Sequence, residues 1–225
     1  MKKVIFNILG ILLLFAAQSP AATALFIGDS HSVGPFGWKL DELLRGVPGT
    51  SVASYASCGS IALWWETGKP TPCGYYFRDT GGKINKGLKA PTPYFDVLLD
   101  EVKPDLVVVE LGANYSNIPS DDFAVNDMKK LAKKIADSGS ACFWITQPDS
   151  RKGKDQIQRI LELTRKAVTP YCSYFDSTKV TGYPSEGGDG IHYWFQEGLP
   201  IANAWAEAAF AAMKPLLDKL PVQPE

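Results

Sequence analysis

Leu106-Val107-Val108-Val109 is the stretch on which the fold turns, because four apolar residues in succession leave no face for water. A strand with one wet face alternates apolar and polar side chains, whereas a strand covered on both faces is apolar throughout. Residues 105–111 therefore read as an interior strand of a sheet with helices on either side. Working outward, strand-like runs recur at 25–27, 51–56, 141–146 and 171–175. Helical spacing fills the intervals at 37–45, 94–102, 121–138 and 154–168, with a last helix from about 196 to 220. Alternation of this kind predicts an α/β domain built on a parallel sheet. Such sheets bind ligands beyond the carboxyl ends of their strands. Ser30, Gly59, Asn114 and Asp149 all follow strand ends, so the chemistry is expected on one rim.

With 225 residues and 45% hydrophobic content, the chain has apolar material for one well-buried domain. Residues 1–24 read as a secretory leader: Lys2 and Lys3 precede an apolar run from Val4 to Ala17, and Ala22-Thr23-Ala24 offers a cleavage site. A cut near Ala21 or Ala22 is also compatible, since cleavage after Ala24 would clip the first strand. The domain then spans 25–225, with 61–93 as a loop-rich insertion carrying Trp64, Trp65, Tyr75, Tyr76 and Phe77. Those rings suit either a cleft wall or packing on the domain body. Removing Lys2 and Lys3 takes the formal charge from -1 to -3, which gives no nucleic-acid footprint. Cys58, Cys73, Cys142 and Cys172 lack any C-x-x-C spacing and sit in a chain read as exported, so disulfides are expected. Of the three connectivities, Cys58 with Cys73 and Cys142 with Cys172 is favoured.

The run Leu25-Phe26-Ile27 breaks at once into Gly28-Asp29-Ser30, a turn that presents a serine hydroxyl at a sheet edge. A serine is a weak nucleophile unless a base stands beside it. The chain has two histidines. His31 adjoins Ser30 and its side chain diverges from it, which leaves His192 as the base. Asp189 precedes it by three residues, a spacing that lets the carboxylate reach the imidazole and orient it. Ser30, His192 and Asp189 are thus the expected catalytic triad. There is no G-x-S-x-G elbow, no H-E-x-x-H and no P-loop, and no metal site is expected. Arg151, Lys152 and Lys154 read as a solvated basic face.

In this order the residues resemble the SGNH, or GDSL-type, hydrolase family. Gly28-Asp29-Ser30 is similar to its first block, Gly59 to its second, Gly112-Ala113-Asn114 to its third, and Asp189 with His192 to its last. The resemblance implies a three-layer flavodoxin-like fold with a parallel five-stranded sheet. It also implies ester hydrolysis without a cofactor, with the oxyanion held by Ser30 N–H, Gly59 N–H and Asn114. His31 after the serine resembles a subset that includes O-acetylesterases of bacterial cell-wall glycans; its other reading is a residue that caps the turn or packs behind the site. The expectation is an exported esterase, periplasmic or secreted. It would remove acyl groups, O-acetyl above all, from an acylated polysaccharide or small ester, with no nucleic-acid partner and no membrane anchor once the leader is removed. The alternatives are a lipase-like esterase, thioesterase or lysophospholipase for longer acyl chains, and a non-catalytic glycan-binding protein.

Overall fold

A computed structural model describes residues 22–220 of the chain. The expected leader therefore lies, through residue 21, outside the described residues, and Ala22 to Ala24 belong to the first strand. In chain order the strands are β1 (Ala22–Gly28), β2 (Thr50–Ser57), β3 (Pro70–Thr71), β4 (Tyr75–Arg78), β5 (Ile84–Gly87), β6 (Ala90–Pro91), β7 (Leu106–Glu110), β8 (Ala141–Ile145) and β9 (Ser173–Phe175). The main sheet runs β5-β4-β2-β1-β7-β8-β9, and β3 pairs with β6 in a separate ribbon. The helices are α1 (Ser30–Val33), α2 (Pro35–Arg45), α3 (Ala62–Thr67), α4 (Phe95–Val102), α5 (Asp121–Asp137), α6 (Lys154–Val168) and α7 (Gly198–Leu217).

The period-2 geometry of a strand divides the interior into two layers. Leu25 and Ile27 of β1, with Val107 and Val109 of β7, join the core under α3, α4, α5 and α6. Ala24, Phe26, Leu106 and Val108 point the other way and meet α2 and α7, where Phe36 stacks on Trp205 at 3.6 Å. The apolar run in β7 is thus buried from both sides, and helix–sheet–helix layering follows.

The five parallel strands expected from the sequence are present as β2-β1-β7-β8-β9, but the sheet has seven. The segment read as a loop-rich insertion supplies the other two as an antiparallel hairpin, β4 and β5, laid on the open edge of β2. An unpaired edge leaves backbone donors and acceptors without partners, and the hairpin occupies them. Side chains pin it: Phe77 lies 5.5 Å from its cross-strand partner Tyr55 and 4.7 Å from Tyr75. Arg78 donates to buried Asp41 of α2 at 2.6 Å, and Asp41 also accepts from Arg45 and Ser54. The short strand length and weak alternation of 75–78 hide this hairpin in the sequence. Both favoured disulfides form, Cys58–Cys73 and Cys142–Cys172.

Candidate active site

β1 and β7 are neighbours at the point where the strand order reverses, since the chain builds first outward to β2 and then to the other side through β7, β8 and β9. Crevices at such a switch are where open parallel sheets bind ligands. β1 runs out at Gly28 and the chain folds back immediately into α1. A Cβ on Gly28 would stand 2.0 Å from Ser32 Oγ, so only glycine allows this return. Asp29 caps the turn, its Oδ1 accepting the His31 N–H at 3.0 Å.

The turn leaves the Ser30 hydroxyl 2.9 Å from Nε2 of His192, a residue 162 positions later. On the far side of the ring, Nδ1 lies 2.6 Å from Oδ2 of Asp189. The other oxygen of Asp189 accepts the N–H groups of Ile191 and His192, both at 2.8 Å. The three-residue spacing therefore closes a tight turn rather than a helical one, and α7 begins only at Gly198. Partial burial pushes the Asp189 carboxyl upward, but the hydrogen bonds from the His192 ring and from the His192 and Ile191 amides outweigh it and hold the group well below the usual carboxylate range. The three residues singled out in the sequence are thus brought together in a relay.

Tyr183 and Arg151, neither of them expected at the site, hold the loop carrying Asp189 and His192. The Tyr183 hydroxyl accepts the Gly190 N–H at 2.9 Å and donates to the His192 carbonyl at 3.1 Å. The Arg151 guanidinium donates to the carbonyls of Pro184, Ser185 and Gly187 at 3.0, 2.8 and 2.9 Å. The expectation of a merely solvated basic face fails for Arg151, which is exposed yet spends its planar fork on three backbone acceptors. No sequence signal pairs two loops more than 30 positions apart.

Gly59 follows β2 at φ +85°, a left-handed conformation that favours glycine, and a Cβ there would meet the Trp64 ring at 3.3 Å. Cys58 N–H donates to Gly74 and Ser60 N–H to Ser57, whereas the Gly59 N–H between them is engaged by no described residue. Asn114 stands at the start of a 3-10 turn, Ala113–Asn117, that follows β7. Its amide nitrogen is 3.1 Å from Asp29 Oδ2 and 3.0 Å from the Ser60 carbonyl. Both N–H groups are therefore occupied, and a developing oxyanion would have to take the one now on Ser60. The adjacent Tyr115 hydroxyl donates to Asp127 at 2.7 Å and accepts the Ala62 N–H at 3.0 Å, tying this turn to the start of α3.

Ser30, Gly59, Asn114 and His192 line a cleft of about 230 Å³, with Gln147 and Lys152 also on its wall. None of the five aromatic rings of the 61–93 segment lines it. Trp65 and Tyr76 are buried in the domain and Trp64 packs against the Gly59 turn. His31 is buried beside the site, its ring 5.2 Å from that of His192 and 5.8 Å from Trp205. Burial, with a smaller contribution from His192, pushes its imidazole down from 6.5 to about 3, so the ring is neutral near pH 7. Glu110, at the end of β7, is wholly buried beneath Ser30's turn and was missed; an acid closing an otherwise apolar strand was its one visible signal. Among the described residues no three His, Cys, Asp or Glu side chains are arranged to hold a metal ion.

The sequence matches no protein-family model and no curated protein, whereas the fold does find counterparts. A peptidoglycan O-acetylesterase superposes with a TM-score of 0.59 at 11% identity, over 89% of this chain and 92% of that one. The chain has the fold of the GDSL-type hydrolases. A psychrotrophic esterase from Pseudoalteromonas sp., solved with monoethylphosphonate as inhibitor, gives 0.56 at 13% identity over 88% and 100% of the two chains. A GDSL-like lipase from Bacteroides thetaiotaomicron gives 0.53 at 13% identity over 85% and 89%. What the chains share is a central, mostly parallel sheet flanked by helices. The β4–β5 hairpin extends that sheet at the β2 edge.

Proposed function

We propose that the protein is an exported serine esterase that removes short acyl groups, chiefly O-acetyl, from a cell-envelope or extracellular polysaccharide. The observation that carries the esterase reading is the continuous relay from Asp189 through His192 to Ser30, 2.6 Å and 2.9 Å long at its two links, opening on a cleft. Ser30 Oγ attacks the ester carbonyl as His192 Nε2 takes its proton. The same ring returns that proton to the departing alcohol and then activates water against the acyl-enzyme, while Asp189 keeps the tautomer and bears the imidazolium charge. Ser30 and Gly59 N–H, with the Asn114 amide, stabilise the oxyanion.

Four features support the narrower reading. The cleft, about 230 Å³, is small beside the usual range for ligand pockets and suits an acetyl group better than a long chain. Two disulfides favour an oxidising compartment, and the basic, then apolar, N-terminal segment is compatible with export. A peptidoglycan O-acetylesterase and an acetyl xylan esterase share the fold. The test is hydrolysis of p-nitrophenyl esters of rising chain length by wild type and Ser30→Ala, followed by acetate release from purified acetylated glycans. Acetyl turnover that vanishes in Ser30→Ala is the expected result. Equal rates in the two proteins would remove Ser30 from the reaction, and a preference for octanoyl esters would favour the lipase-like alternative.

A further inference from the structure

Behind the nucleophile the fold buries two carboxyl groups that the ester chemistry above does not use. Asp29 and Glu110 are both completely inaccessible, one in the turn that presents Ser30 and the other at the end of β7, just before the turn that presents Asn114. β1 and β7 pair so that Gly28 stands opposite Glu110, and the Asp29 N–H donates to the Glu110 carbonyl at 3.2 Å. Both side chains are held from the same short helix, Asp29 by the His31 N–H and Glu110 by the Ser32 hydroxyl.

The donors around the pair are unevenly shared. Asp29 Oδ1 takes the His31 N–H at 3.0 Å and Oδ2 takes an Asn114 N–H at 3.1 Å. Glu110 Oε2 takes the Ser32 hydroxyl at 2.8 Å, whereas Oε1 has no donor among the described residues. The titratable groups facing the pair are His31 on α1 and, across Ser30, His192 with Asp189 from the loop before α7. β8 opposes Glu110 with Ile145, and the segment before α3 contributes only Ser60. No lysine or arginine forms an ion pair with either acid among the described residues.

Two carboxyl groups buried side by side, with no cation paired to either among the described residues, cannot both be ionised. A buried oxygen with no donor is satisfied if it carries a proton of its own. We propose that Glu110 holds a proton on Oε1 and donates it to Asp29, so that the pair bears one negative charge, on Asp29, which locks the Ser30 turn to the Asn114 amide. Asp29 is the charged member because it collects two backbone or amide donors in addition to Glu110. The titration tendencies agree: burial and the neighbouring Asp29 charge push Glu110 well above the usual carboxylate range, while burial raises Asp29 only to about 6. Glu110 is thus a positioning residue. It keeps the nucleophile and an oxyanion donor, 84 positions apart, in one hydrogen-bonded unit.

The first test reads the proton directly and does not depend on the proposed esterase activity. Infrared difference spectra between Ser30→Ala and Ser30→Ala/Glu110→Gln, both full-length proteins at pH 7, should contain the carbonyl band of one protonated carboxylic acid. A difference showing only carboxylate bands would overturn the proposal. The second test rests on the esterase reading. Glu110→Ala should lower kcat by about tenfold or more with little change in KM. Glu110→Gln, whose amide can still donate to Asp29 and accept from Ser32, should restore most of that rate. It should also abolish the alkaline decline in kcat that follows loss of the Glu110 proton in the wild type. Equal damage by Gln and Ala, or a wild-type alkaline limb in Glu110→Gln, would count against the shared proton. If no variant turned over any ester, the spectra would still decide where the proton sits.

Discussion

Asn114 and His31 show how much chemistry rests on single side chains here. The Asn114 amide is a neutral donor held between Asp29 and Ser60, at 3.1 and 3.0 Å, so it is oriented before any substrate arrives. Asn114→Ala should lower kcat by about 10²- to 10³-fold, near 3 kcal/mol, with KM little changed, as steady-state kinetics on an acetyl ester would show. His31 is buried as the neutral imidazole. Between its ordinary 6.5 and about 3, the unfolded chain binds one more proton at this position than the folded one. Stability is therefore lost as pH falls through that window, by up to about 1.4 kcal/mol per pH unit for this one group. Urea unfolding of wild type and His31→Gln from pH 7 to pH 4 should give a shallower decline in the variant. Parallel curves would mean that the folded protein accepts a proton on His31.

Among the elements, the turn after β2 depends most on covalent help. Cys58–Cys73 closes a separation of 15 residues beside the cleft, and Cys142–Cys172 closes one of 30 linking β8 to the approach to β9. Loop-closure entropy makes both worth roughly 3 to 3.5 kcal/mol, so stability alone should hardly distinguish them. Function should. Replacing Cys58 and Cys73 by serine is expected to lower both Tm and kcat, because Cys58 carries Gly59. Replacing Cys142 and Cys172 is expected to lower Tm alone. Melting curves with parallel acetyl-ester kinetics check this, and a kcat loss of similar size in both pairs would refute the assignment of Gly59's turn to the cleft. The β4–β5 hairpin is the element least visible beforehand: β4 is four residues long, and its anchors, Asp41 and Tyr55, come from other elements.

For the whole molecule, the start of β1 limits where the proposed leader could be cut. Ala22 N–H donates to Gly49, Thr23 N–H to the Asp105 carboxylate at 2.8 Å, and Thr23 accepts the Asp105 N–H at 2.8 Å; Ala24 is fully buried. Cleavage after Ala24 would strip these bonds from the central strand. The processed protein is therefore expected to start at or before Ala22, which N-terminal sequencing of the exported form would show. A chain beginning at Leu25 should be less stable by about 1–3 kcal/mol in urea unfolding. Sequence by itself determined the layered α/β architecture, because burial on both faces of a strand and helical periodicity are local patterns. It also pointed to the serine, histidine and aspartate of the candidate site: the chain has only two histidines, and the Asp189 turn closes within four residues. Only the tertiary structure decided the two-stranded extension at the β2 edge, the Arg151 clamp, the double engagement of Asn114 and the shared burial of Asp29 and Glu110. Each of these joins segments distant in the chain, and whether a carboxyl keeps its proton depends on the burial and donors that the folded neighbours impose.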